Sequence, residues 1–200
     1  KISYKNISLW VVLIWNYTIM KYDYIEKGDG EVIVLIHGLM GAVSNFSNTI
    51  RDLPKHGYRV ILPMLPIYKM PILKTNVTEL ARFVNNFAED MGLEKFTVLG
   101  NSLGGHIGLI LALKHPNKIS KLILSGSSGL YENTLGGTFP KRGNYSYIET
   151  KTKEVFFSPE SATKELVDEV FETVNNRERV IRVVMMAKSA MRTNMKKELP

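Results

Sequence analysis

A chain of 200 residues, 44% hydrophobic and 22% charged, can bury one real core but is too short for two large domains. Lys and Arg number 26 against 19 Asp and Glu, a net charge of +7, yet the basic residues are scattered; this reads as a solvated surface, not a nucleic-acid footprint. With no cysteine, disulfides, thiolate metal sites and Cys nucleophiles are excluded, and a reducing, cytoplasmic compartment is the expectation.

Residues 7–15, ISLWVVLIW, form an apolar run shorter than the roughly 20 residues a membrane-spanning helix needs. Its length suits a signal-peptide core, but NYTIMKYDY after it offers no small-residue cleavage site. Residues 1–20 are therefore read as an extension outside the folded core, without a stable membrane span; a membrane anchor is the minority reading. From Tyr22 onward strands alternate with helices. YDYIEKGDG reads as a short strand closed by a turn, and EVIVLIHG as a strand buried on both faces. NTIRDLPKHG suggests a short helix and YRVILPM another buried strand. Residues 76–91 place Val77, Leu80, Ala81, Val84 and Phe87 on one helical face, with Gly92 as terminator. KFTVLG, LGGHIGLILALKH and KISKLILSG continue as strand, helix and strand. This alternation predicts right-handed crossovers and a doubly wound, mostly parallel sheet, with reactive groups outside the carboxyl ends of the strands.

Past Leu130 the pattern changes. YENTLGGTFPKRGNYSY is turn-rich. SPESATKELVDEVFETVNN reads as a helix capped by Ser161 or Thr163, with Leu166, Val167, Val170, Phe171 and Val174 as its apolar stripe. RERVIRVVMMAKSAMRTNM is a second, Met-rich helix. Residues 21–130 are thus expected to form an α/β core, and residues 131–200 a helical unit without further sheet strands.

Gly100-Asn101-Ser102-Leu103-Gly104 matches G-x-S-x-G between a strand and a helix. A serine at such a turn takes a strained backbone conformation that lifts its Oγ above the sheet. Side chains two residues before and after would collide, so Gly100 and Gly104 clear the space. The helix directs its positive end and unbonded N–H groups to the same spot, which makes the Leu103 N–H a candidate oxyanion donor. His37-Gly38-Leu39-Met40-Gly41 follows the EVIVLI strand, and the N–H of Leu39, or failing that Met40, is the second candidate donor. His37 itself reads as a residue that ties this loop by hydrogen bonds.

These two motifs, in this order and topology, resemble the α/β-hydrolase superfamily over residues 22–200. GNSLGGH looks like the elbow of the carbon–carbon bond hydrolases that cleave ring-fission products, and also like that of many small esterases. The resemblance implies an α/β-hydrolase-type sheet, Ser102 as nucleophile, and a helical cap in the segment after Gly129. It also implies an acid and a histidine that follow the serine in sequence. Only His106 and His115 do so, both on the elbow helix. His106 is expected to pack there, and His115, before Pro116, to fall on the wrong side of the sheet. Glu132 and Asp168 have no histidine to orient. The acid and base are therefore read as absent from this chain, which would be truncated at its C-terminus, inactive by itself, and left with an uncovered sheet edge. Where relatives usually carry an Asp and a Gly-rich turn after the third strand, MLPIYKMPILKT predicts an apolar, Pro-stiffened pocket wall.

The expectation is a serine hydrolase of a carboxylic ester or related acyl substrate, small and largely apolar, working without metal or organic cofactor. Apolar cap residues Val170, Phe171, Val174, Val184, Met185 and Met186 either line its acyl site or pack cap on core. The alternatives are a carbon–carbon bond hydrolase using the same serine, and a catalytically silent binding protein of the same fold. Oligomeric state is left open.

Overall fold

The computed structural model describes residues 22–40, 43–131 and 141–199. The extension expected over residues 1–20, and Glu132, lie outside them. The elements are β1 (Tyr24–Lys27), β2 (Glu31–Ile36), α1 (Ser47–Asp52), β3 (Tyr58–Pro63), α2 (Val77–Asp90), β4 (Phe96–Asn101), α3 (Leu103–Lys114), β5 (Ile119–Ser125), α4 (Tyr145–Lys153), α5 (Lys164–Asn175) and α6 (Arg177–Arg192). The sheet runs β1-β3-β2-β4-β5. β3, β2, β4 and β5 are parallel, and β1 joins the β3 edge antiparallel, Tyr24 opposite Pro63.

β2 lies at the centre because its β-branched run can be buried on both sides. Val34 and Ile36 enter the larger core, with Ile61, Val98 and the inward faces of α2 and α3. Ile33 and Leu35 enter a smaller one on the other side, with Val60, Leu62, and Phe46 and Ile50 from around α1. The period-2 alternation thus assigns successive residues to opposite layers. α2 buries the expected stripe, and Gly92 ends it at φ +67°, a left-handed conformation that glycine adopts without penalty.

α3 has no polar face, and its residues Leu103 to Leu111 are all buried. Its glycines let it sit close to the sheet: a Cβ on Gly108 would lie 2.8 Å from Leu122 Cδ1. α6 docks on the same core through Met186 and Ala190. The Ser189 hydroxyl accepts the Val77 N–H at 3.1 Å, and Met195 N–H donates to Gly129 O at 2.7 Å. β5 has a sheet partner on one side among the described residues, and its Ile123 and Leu124 are exposed.

Two expectations are corrected. α4 begins within the last three residues of the stretch expected to be turn-rich and runs on through residues 148–153, to which no element was assigned; its sequence YSYIETKTK buries only Ile148 and Thr152 and so carries no stripe. The loop after β3 does not wall the pocket: Leu65, Ile67 and Met70 turn into the larger core. Of the two caps left open for α5, Thr163 is the one used, its Oγ1 accepting from Leu166 N–H at 3.3 Å. Among the described residues no helix is long and apolar enough to cross a membrane.

Candidate active site

Ser102 sits between β4 and α3 at φ 53°, ψ −116°, and among the described residues it is the only non-glycine with positive φ. A side chain held there costs about 1–3 kcal/mol, so its surroundings must impose it. They do so through its own peptide groups. Ser102 N–H donates to Ser125 O at the end of β5 (2.9 Å), and its carbonyl accepts from Gly105 N–H (3.0 Å) and Ser128 N–H (3.1 Å). The hydroxyl does not cap α3. It is left to the cavity that Ser102 lines.

Gly100 and Gly104 are required sterically. A Cβ on Gly100 would lie 2.4 Å from Gly104 O, and one on Gly104 would lie 1.9 Å from Ile36 O. Gly38 approaches from the other side, where a Cβ would be 3.4 Å from that of Ser102 and 3.2 Å from Asn101 Oδ1. The Gly38-Leu39-Met40 loop and the elbow therefore meet at one place, with the Leu103 peptide at the amino end of α3, where N–H groups have no intrahelical acceptor.

The cavity is about 740 Å³. Its floor is the loop Gly38–Met40 with Asn45, Asn101, Ser102 and Gly126; its other wall is α4, the turn after it and α5, through Tyr147, Ile148, Lys151, Val155, Phe156, Leu166, Val170 and Val174 among others. Asn45 Nδ2 donates to Asn101 Oδ1 at 3.3 Å, which places two amides beside the serine. Among the described residues Lys151 is the one charged residue in the lining; Glu154, 2.6 Å away, holds its ammonium and raises its pKa. Of the apolar residues expected to face substrate, Val170 and Val174 do line the cavity. Phe171 packs on Tyr145 with ring centroids 5.2 Å apart, Met186 is core, and neither Val184 nor Met185 lines the cavity.

No histidine and no carboxylate lines the cavity among the described residues. His37 is buried under it: Nε2 accepts the Leu65 N–H at 3.0 Å and Nδ1 bonds Gly38 O at 2.8 Å, a pairing that fits the neutral Nδ1–H tautomer. Burial lowers its pKa, against the opposing effect of the Gly38 carbonyl. His106 is fully buried on α3, its ring against Gly129, whose Cβ would lie 2.6 Å from it. His115 follows the last turn of α3, and His56 ends the turn before β3. Asp168 is held on the outside of α5 by Lys164 (2.5 Å) and the Tyr145 hydroxyl (2.6 Å), and both lower its pKa. Asn45, Asn101, Tyr147 and Lys151 are site residues that motif reading missed. Asn101 lay inside the elbow motif as its variable position, while the others carry no local signal.

A doubly wound α/β sheet with a strained serine at a strand-to-helix turn, a glycine loop beside it and a cavity above defines a hydrolase scaffold. Residues 31–179 match the family described as alpha/beta hydrolase fold. The chain belongs to that family. It is 31% identical over 141 residues to the 2-hydroxy-6-oxo-6-phenylhexa-2,4-dienoate hydrolase of Comamonas testosteroni, covering 65% of this chain and 44% of that one. It is 35% identical over 137 residues to the 2-hydroxy-6-oxo-6-(2'-aminophenyl)hexa-2,4-dienoic acid hydrolase of Metapseudomonas resinovorans, covering 65% and 47%. Among solved structures, an alpha/beta hydrolase enzyme from the metagenome of lagoon sediments at Mar Chica, Morocco, is 40% identical with a TM-score of 0.70, covering 90% of this chain and 67% of that one. The chain thus spans under half the length of these two curated relatives.

Proposed function

We propose that the full-length protein is a serine hydrolase in which Ser102 attacks the carbonyl carbon of a small, largely apolar acyl substrate. The observation that carries this reading is the backbone of Ser102, held at φ 53° with its hydroxyl unused by the helix it precedes. A serine that only capped α3 would have neither feature. On this reading the N–H groups of Leu39 and Leu103 stabilise the tetrahedral oxyanion, and Gly38, Gly100 and Gly104 allow the two donors and the hydroxyl to converge. Attack forms the Ser102 Oγ–acyl bond and breaks the bond to the leaving group, which takes a proton; water then releases the acid and restores the hydroxyl. The His and carboxylate that would activate Ser102 are placed outside these 200 residues, a placement supported by the cavity lining and by the relatives' greater length. Residues from 131 onward serve as a cap, supported by the apolar wall that α4 and α5 give the cavity.

With an ester, the leaving group is an alcohol. A second reading, that the bond broken is carbon–carbon, is favoured by the relatives, which are named as hydrolases of hydroxy-oxo-dienoates. Such a substrate carries an enol and a carboxylate, and Asn45, Asn101 and Lys151 supply the polar groups to receive them. Fluorophosphonate labelling of the full-length protein, with Ser102→Ala as control, tests the serine. Labelling of the wild type alone is expected, and an unlabelled wild type overturns both enzymatic readings in favour of a silent binding protein. Turnover of nitrophenyl esters against that of a 2-hydroxy-6-oxo-dienoate then separates the two bonds.

A further inference from the structure

We propose that Tyr68, from the segment after β3 that departs from the superfamily pattern, is a positioning residue that holds the oxyanion loop to the helices across the cavity. The inference rests on the reading of Leu39 as an oxyanion donor. Tyr68 projects from the turn at Pro66, where Lys69 and Met70 N–H both bond Pro66 O (2.9 and 3.0 Å) and Ile67 and Met70 anchor the turn in the core. Its hydroxyl donates to Leu39 O at 3.3 Å. Thr173, a buried residue of α5, faces the same hydroxyl, and its side chain opposes the rise in the phenol's pKa that burial causes. From α6, the Arg179 guanidinium lies over the phenol ring, 5.4 Å from its centroid, and Arg182 Nε donates to Met70 O at 2.9 Å. A single phenol thus connects the Leu39 peptide to α5 and α6.

The physical consequence concerns orientation. Leu39 is only partly buried, and the loop carrying it is fixed upstream by His37, which bonds Gly38 and Leu65. Downstream, the Leu39 carbonyl is held by Tyr68. With both peptides flanking Leu39 clamped, its N–H direction is set before substrate arrives, and a preorganised donor is what stabilises an oxyanion. The phenol is desolvated there, which raises its pKa, so it stays a donor at neutral and mildly alkaline pH. Thr173 and Arg179 extend the clamp to the helices that wall the cavity, so displacement of α5 would loosen the donor.

Tyr68→Phe keeps the ring, the Arg179 contact and the packing, and removes only the hydroxyl. In the full-length protein, kcat on a nitrophenyl ester and the rate of fluorophosphonate labelling should each fall about 10-fold, with KM and melting temperature nearly unchanged. Thr173→Val, which leaves the phenol in place but frees it, should give a smaller loss of the same kind. Unchanged kcat and labelling in Tyr68→Phe, or a loss that appears in KM and melting temperature instead, overturns the inference while leaving the Ser102 reading intact. An unlabelled wild type removes both.

Discussion

Gly104→Ala is the substitution for which the structure gives the clearest arithmetic. The added methyl would stand 1.9 Å from Ile36 O, 2.5 Å from Ile36 C and 2.8 Å from His37 O. All three are backbone atoms at the end of the central strand, so no rotamer change relieves the contact. To reach an ordinary separation of about 3.4 Å, α3 must withdraw from β2 by more than 1 Å, which strips contacts from residues that are fully buried. Overpacking of this kind costs about 1–3 kcal/mol, and the upper end applies where only backbone can yield. Alanine's better helix propensity returns about 1 kcal/mol at most, leaving a net loss of roughly 2 kcal/mol or more. Gly57→Ala is the comparison: at φ +78° with nothing within 4 Å, it should lose only the left-handed penalty, about 1–2 kcal/mol. Urea unfolding followed by circular dichroism measures both. If Gly104→Ala unfolds at the wild-type midpoint, the close approach of α3 to β2, and with it the steric account of the elbow, is wrong.

The buried His37 couples folding to pH. Its pKa in the fold lies below the ordinary 6.5, so the unfolded chain binds the extra proton first. Its contribution to stability is full above about pH 6.5 and is lost as pH falls below that value toward the folded pKa. His37→Leu should flatten the stability profile through this window while losing about 1–3 kcal/mol at neutral pH, because the Leu65 N–H is left without its acceptor. An equally steep acid limb in that variant would reassign the linkage to another group. Phe87 is fully buried with edge contacts to Tyr22 and Tyr24 at 5.2 and 5.5 Å, so Phe87→Ala should cost about 3–5 kcal/mol in urea unfolding. Phe157→Ala, at a fully exposed position, should stay within about 0.5 kcal/mol; equal costs at the two sites would contradict the assigned core.

What sequence pattern reveals here follows from how each signal arises. β2, β3, β4 and α2 announce themselves because burial on two faces or on one stripe writes a period into the residues. The elbow is legible because its two glycines are demanded by backbone atoms 1.9 and 2.4 Å from where a Cβ would be. α4 is not legible in that way, since it buries one isoleucine and one threonine. Its only strong local mark is the cap, Asn144, whose Oδ1 accepts the Tyr147 N–H at 2.9 Å. The loop MLPIYKMPILKT misleads for a related reason. Its apolar residues suggest a pocket wall, but pattern does not say which core a non-periodic segment enters, and Leu65, Ile67 and Met70 enter the one shared by α2 and α3. Asn45, Tyr147 and Lys151 come to the cavity only through tertiary packing.

The position of Ser102 ties the site to the edge of the sheet. Its strained backbone is held by Ser125 O, the last residue of β5, and by the Ser128 N–H just beyond it. Among the described residues β5 in turn is bonded along one side, to β4, and presents Ile123 at 46% and Leu124 at 37% exposure. A strand in that situation opens at a lower free-energy cost than the central β2. When β5 frays, Ser102 loses the groups that compensate its positive φ, and about 1–3 kcal/mol of stored strain favours relaxation of the elbow. The order of β5 therefore bears on the conformation that turns Ser102 toward the cavity, and a variant that loosens the strand should release the elbow from its positive φ as well.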